Sequence, residues 1–290
     1  MKVLTINAEK FHLPGSWNEL TPDALLRVAQ LAGDERSVAD FKLKALLKIT
    51  GLRLVERNPV VVDGELHYYL RTPGKNVYLV TVDEINDVID YLDFMFDYEE
   101  KKGQVTCVLS SKLTKNLIGA VRVGDEIWHG PADGLSNLKT GEYIRAETCL
   151  HHFNTRKNIN YLFMLFATLW RPAAEKPIST DIREPFDDGL VEDRAMKVKK
   201  VPHDVLLASL LFFSGCRKML SEKFEHASSG KKGGKEDVFM SFMRMVNGLA
   251  NNDVTKHEAV RQSYLMEMMV TIDEMARQAE EMEKKLKKNK

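Results

Sequence analysis

The period of the hydrophobic positions changes along this chain, and it is most regular at the end. Leu265, Met268, Ile272, Met275, Ala279, Met282 and Leu286 recur at alternating spacings of three and four residues. That spacing puts them on one face of a helix, at the a and d positions of a heptad, and such a face seeks a partner helix. The positions between them from Asp273 to Lys290 are mostly Glu, Lys, Arg or Gln, so the rest of that helix is suited to water.

Upstream, residues 1–130 mix short apolar runs with helical stretches and predict a small α+β domain. A strand is expected at 3–6. Thr21-Pro22 starts a helix, with Thr21 as N-cap and proline in the first turn, where its missing N–H is not needed. A second helix is expected over 38–50, ended by Gly51. Asp63-Gly64, between the β-prone runs PVVV and ELHYYL, is a two-residue hairpin signal. A strand follows at 77–80, and Thr81-Val82-Asp83-Glu84 opens the next helix as a capping box. A second hairpin is expected to turn at Gly124-Asp125. Residues 130–137, rich in Gly, Pro, Asp and Ser, read as a linker.

From 138 onward the pattern is helical. Helices are expected over 140–153, with Thr140 as cap, and over 158–171, stopped by Pro172. The second carries Leu162, Phe163, Leu165, Phe166, Leu169 and Trp170 and is apolar almost all round, which suits the centre of a bundle. Residues 175–189 hold two prolines and several acids and read as a loop. Pro202 opens a long helix to about 224, and SSGKKGGKED (228–237) reads as a flexible linker. Helices over 238–249 and from about 255 to 288 complete the chain. The fold class expected is α+β, predominantly α. A mixed domain with β-hairpins (1–130) precedes a helical domain (138–227), the linker (228–237), and a helical pair (238–290) that ends in the heptad helix.

Composition narrows the function. The chain has 290 residues, 44% of them apolar and 29% charged, as in ordinary soluble globular proteins. Lys plus Arg equals Asp plus Glu at 42 each, which argues against a dedicated nucleic-acid binder. Contact of the lysine-rich end (Lys284, Lys285, Lys287, Lys288, Lys290) with nucleic acid is the weaker alternative to its favouring its own helix C-terminus. Cys107, Cys149 and Cys216 are widely spaced, with no Cys-x-x-Cys, and read as free thiols. The apolar run at 205–215 is too short to span a bilayer. The expected location is cytoplasmic, the host cytoplasm for a phage-encoded chain, with no membrane partner.

No assembled chemistry appears. Gly-x-Ser-x-Gly is absent, as is a cysteine with a supporting histidine motif. His151-His152 point about 100° apart on a helix and cannot easily clasp one ion, and Glu147 sits four residues before His151 as a possible pair. GKKGGK (230–235) lacks the Ser or Thr of a phosphate loop and has no strand before it. The expectation is a non-enzyme without cofactor or metal. Met240, Met243, Met245, Met266, Met268, Met269, Met275 and Met282 place eight of the thirteen methionines near the C-terminus. Methionine suits core filling, and it also suits surfaces that repack around a partner.

Three segments carry a resemblance: SWNELTPDALLRVAQL near the start, the central LFATLWRP, and MVNGLANNDVTKHEAVRQSYLMEMMVTIDEMARQAEEMEKKL at the end. Their layout resembles morphogenesis proteins of tailed phages and prophages, and the last segment resembles the C-terminal part of tail assembly chaperones. The resemblance implies a non-enzymatic factor that binds a helical tape-measure protein. The mixed N-terminal region departs from a small all-helical chaperone and leaves a self-associating structural component of the particle as the alternative. The residues expected to bind the partner are Leu265, Met268, Ile272, Met275, Ala279, Met282 and Leu286.

Overall fold

The chain opens with a hairpin, in which β1 (Lys2–Ile6) pairs antiparallel with β2 (Glu9–Leu13). The computed structural model describes residues 2–6, 8–32, 37–101, 104–178, 181–228 and 238–288. The fold is α+β and predominantly helical. It divides into two compact units: Met1–Leu113 with His203–Leu211, and Thr114–Pro202 with Phe212–Lys290.

Local chemistry sets most boundaries in the first unit. α1 (Pro22–Ala29) begins where Thr21 Oγ1 accepts the Ala24 N–H at 3.2 Å. α2 (Val38–Thr50) ends at Gly51, whose φ of 74° is the left-handed conformation that glycine adopts without a Cβ clash. Strands β3 (Arg53–Leu54), β4 (Val60–Val62), β5 (Glu65–Arg71) and β6 (Val77–Thr81) form an antiparallel sheet in which β5 pairs with the other three. β4 and β5 join at Asp63-Gly64, with φ of 53° and 86°, the backbone that matches strand twist in a two-residue turn. At the head of α3 (Val82–Ile89) the Glu84 N–H donates to Thr81 Oγ1 at 3.1 Å, and the Thr81 N–H donates to Glu84 Oε2 at 2.9 Å. β7 (Phe96–Lys101) and β8 (Gln104–Leu109) add a hairpin that the apolar pattern did not predict. Leu13, Trp17, Leu25, Val28, Leu92 and Met95 fill the core, and the Trp17 indole N–H donates to the Ser110 carbonyl at 2.9 Å.

In the second unit β9 (Ala120–Val123) and β10 (Glu126–His129) form the hairpin expected at Gly124-Asp125. It belongs with the helical part of the chain because β10 pairs onward with β11 (Arg171–Ile178), which pairs with β12 (Asp181–Arg183). The stretch 130–137, expected as a linker, therefore lies inside this unit. Asp133 Oδ1 there accepts the Asn116 N–H and Asn137 Oδ1 accepts the Ala132 N–H, both at 2.8 Å. The loop expected from 175 corrects to strand at 175–178, within β11, and at Asp181–Arg183, which is β12. The β11–β12 register shifts between Ala173 and Ile178, so Pro177 falls where the ladder is interrupted and its missing donor is tolerated.

α4 (Thr140–Arg156) and α5 (Asn160–Leu169) pack together, with α6 (Val191–Val198) against α5. α5 ends earlier than expected because Arg171 turns into β11, where its guanidinium donates to the Glu184 and Thr168 carbonyls as well as to Glu142. Trp170 stacks on Phe166 at 4.9 Å between centroids, with Phe212 edge-on at 6.1 Å. A side chain at Gly130 would meet the Trp170 ring at 2.6 Å, so glycine is required for that approach. α7 (His203–Lys223) is followed by the short α8 (Glu225–Ser228), then α9 (Val238–Leu249), α10 (His257–Gln262) and α11 (Leu265–Lys288). The expected flexible linker and GKKGGK lie outside the described residues, Ser228 apart.

Candidate partner-docking helix

The single helix expected from about 255 to 288 is broken. α10 stops at Gln262, and Ser263 turns extended at ψ 155°. Non-local bonds make the break. Tyr264 forms an isolated antiparallel bridge with Lys139, the Thr140 N–H donates to the Ser263 carbonyl at 3.0 Å, and the Leu265 N–H donates to the Leu138 carbonyl at 2.9 Å. The Lys139 ammonium sits 3.3 Å from the Tyr264 ring centroid, a cation–π contact. Thr140 is thus the first residue of α4 rather than its cap, and its hydroxyl lies 3.1 Å from the Ser263 hydroxyl.

This clamp sinks the first seam residues. Leu265 is 0% and Met268 4% exposed, and Ile272 is half-buried. Two polar contacts from α8 then hold one side of the helix: the Ala227 N–H donates to Asp273 Oδ1 at 2.9 Å, and His226 Nδ1 lies 3.2 Å from Glu280 Oε2. From Met275 onward the seam itself, on another side of the helix, faces solvent. Met275, Met282 and Leu286 are 52%, 63% and 67% exposed, and Ala279 is exposed beside them. The structure therefore splits the seven expected residues into a buried anchor and an open stripe. The heptad spacing marked all seven, but nothing periodic in the four residues of α8 signalled where cover would end.

Salt links stiffen the projecting half. Arg277 donates to Glu274 at 2.7 and 3.0 Å and to Glu281 at 2.7 Å, and Glu274 is drawn down to about 2 by its hydrogen bonds from Arg277 and Gln278. Lys287 pairs with Glu283 at 2.8 Å, so the basic end is interleaved with its own acids.

Three other features carry charge. A buried cluster binds α4 to β11 and β12: Glu142 Oε2 lies 2.9 Å from Arg171 Nη1 and 3.4 Å from Arg183 Nη2, and Arg183 also meets Asp181 at 2.7 Å. These arginines spend further donors on the carbonyls of Thr168, Leu169 and Glu184, each at 2.8 Å, which marks the cluster as structural. Glu147 is paired with Arg217 rather than with His151, and burial pushes its carboxyl above the usual range. It borders a groove of about 450 Å³ whose wall includes Phe242, Met245, Met269 and Ile272. A larger cavity of about 960 Å³ is lined by Arg145, Arg194 and Arg261 and also by Glu184, Asp188 and Glu258. Arg194 meets Glu184 at 2.5 Å and Arg145 meets Asp188 at 3.3 Å, so its charges are largely answered within its own wall.

Among the described residues no three His, Cys, Asp or Glu side chains converge as a metal site, and no helix is long and apolar enough to cross a membrane. The rings of His151 and His152 lie 5.6 Å apart, and His152 packs on Tyr161 at 5.0 Å. Comparison of the chain with protein-family models, curated proteins and solved structures found no match.

Proposed function

We propose that this protein is a non-enzymatic assembly factor that captures a helical partner on the exposed half of α11. One observation carries the reading: Met275, Met282 and Leu286 share one face of a helix whose base is anchored, and that face is exposed from Met275 onward. An exposed apolar stripe flanked by charge is the sequence-readable form of a helix that lies in a groove. Burying three such side chains at ~100 Å² each, at ~25 cal/mol/Å², gains several kcal/mol before ordering costs, which suits a reversible, micromolar complex. Methionine at two of the three positions suits a surface that repacks around its target.

The partner class rests on the resemblance to tail assembly chaperones alone. On that reading the partner is a long helical tape-measure protein, bound in the cytoplasm of the host. A pull-down with the tape-measure protein tests it. Wild type is expected to retain the partner, and Met275→Asp with Met282→Asp is expected to lose it while remaining folded. A double variant that holds the same partners as wild type would sink the reading.

A further inference from the structure

We infer that the cavity of about 960 Å³ binds a nucleotide-sized phosphate ester, its anionic group among Arg145, Arg194 and Arg261 and its flat ring against Phe186. The wall is built by α4, β11, the segment leading to α6, α6 itself, α9 and α10, all within the second unit. The site is independent of the stripe on α11.

Depth sorts the charges of this wall. Glu175, Asp187, Asp188 and Glu258 are exposed, so water and salt screen them. The arginines sit deeper: Arg194 is 7% exposed, and Arg145 and Arg261 are half-buried. A charge held away from water acts on a ligand more strongly than one at the rim. The one half-buried acid, Glu184, is already taken by Arg194 at 2.5 Å. Acids and bases are balanced around the wall, but its interior is positive.

The same arginines keep donors that nothing accepts. Arg194 gives Nη2 to Glu184, while its Nη1 is buried and has no hydrogen-bond acceptor among the described residues. Arg145 Nε is also buried, and lies 3.3 Å from Asp188 Oδ1 without making a hydrogen bond. Arg261 gives Nη2 to the Met243 sulfur at 3.2 Å, a weak acceptor, and meets no carboxylate among the described residues. Buried donors without partners are rare in folded proteins, because each has given up its bond to water. The Glu142 cluster shows the contrast: there Arg171 bonds through Nε, Nη1 and Nη2 alike.

An oxyanion supplies the missing acceptors, and a phosphate ester brings more oxygens to several guanidinium groups than one carboxylate does. The volume lies at the upper end of small-molecule sites, so it suits a nucleotide better than phosphate alone. A flat surface stands beside the charge. A Cβ at Gly141 would lie 3.8 Å from the Phe186 ring and 3.5 Å from Arg261 Cβ, so the missing side chain leaves room between ring and guanidinium stem. Ile144 and Arg145 follow on the same face of α4, three and four residues on. A base stacked on Phe186 with its phosphate toward Arg261 and Arg145 uses both surfaces.

Calorimetric titration of the full chain with AMP, GMP, CMP and UMP tests the site. At least one is expected to bind with a Kd on the order of 10–100 µM, and its uncharged nucleoside roughly tenfold or more weakly. No binding of any of the four up to about 5 mM would overturn the inference, and so would a nucleoside that binds as well as its nucleotide. Arg261→Gln gives up only a bond to sulfur. It is expected to keep the wild-type unfolding midpoint and to weaken the nucleotide roughly tenfold; unchanged affinity would count against the site. Phenylglyoxal labelling locates the anion on the unaltered protein. Bound nucleotide is expected to protect Arg261, read by mass spectrometry of its peptide, and equal labelling with and without nucleotide would overturn the placement. Met275→Asp with Met282→Asp should titrate as wild type, so this result and the partner pull-down stand or fall separately.

Discussion

Tyr264 and Lys139 are joined twice, by an isolated β-bridge between their backbones and by the Lys139 ammonium resting 3.3 Å from the Tyr264 ring centroid. The pair sits where α10 gives way to α11 and holds the base of the docking helix to the start of α4. Tyr264→Ala is expected to cost about 1–2 kcal/mol in urea unfolding. It should also speed hydrogen exchange at the Leu265 amide, which bonds to the Leu138 carbonyl.

The two halves of the seam are expected to respond unequally to truncation. Leu265→Ala removes a fully buried side chain and should cost about 2–5 kcal/mol. Leu286→Ala, at an exposed position on the same helical face, should stay within about 0.5 kcal/mol of wild type. Chemical denaturation of the two variants side by side checks this, and equal losses would mean that the far half is covered after all.

Removing Glu142 strands two arginines. Arg171 and Arg183 are at most 3% exposed and converge on its carboxylate. Glu142→Ala should therefore cost about 3–5 kcal/mol, the penalty of uncompensated buried charge. The measurement is again the unfolding midpoint in urea. A near-neutral result would show that the carbonyls of Thr168, Leu169 and Glu184 suffice.

Glu147 gives the fold a pH dependence of defined sign. Burial raises its carboxyl above the ordinary 4.5, and the opposing pull of Arg217 is the smaller effect. A group whose folded-state pKa is raised contributes stability that is complete below the unfolded value and is lost as pH rises through the folded one. Wild type should therefore lose stability relative to Glu147→Gln as pH climbs from about 4 toward neutrality. Parallel pH profiles for the two proteins would contradict the assignment.

What could be read from the sequence was what neighbouring residues settle among themselves. Thr21 and Pro22, the Thr81–Glu84 box, Gly51, and the Asp63-Gly64 and Gly124-Asp125 turns all act within four residues, and each stands where its chemistry put it. The misses depend on partners far along the chain. Arg171 looked like the last residue of a helix, yet β10 pairs with it and with Pro172 from more than forty residues upstream. The apolar pattern runs through Ser263 and Tyr264 without a pause, so the break there is written in Leu138, Lys139 and Thr140 instead. β7 carries Asp97, Glu99 and Glu100, and those acids disguised its alternation. In the docking helix the spacing identified the face, while its division into anchor and open stripe depends on a clamp and a short turn that have no period.

That division has an evolutionary consequence. Because Leu265 and Met268 are buried while Met275, Ala279, Met282 and Leu286 are exposed, the tip is free to vary while the root stays constrained. Exchanging the four outer side chains for another apolar set would rewrite which target is held and leave the thermal resilience of the body that holds it unchanged.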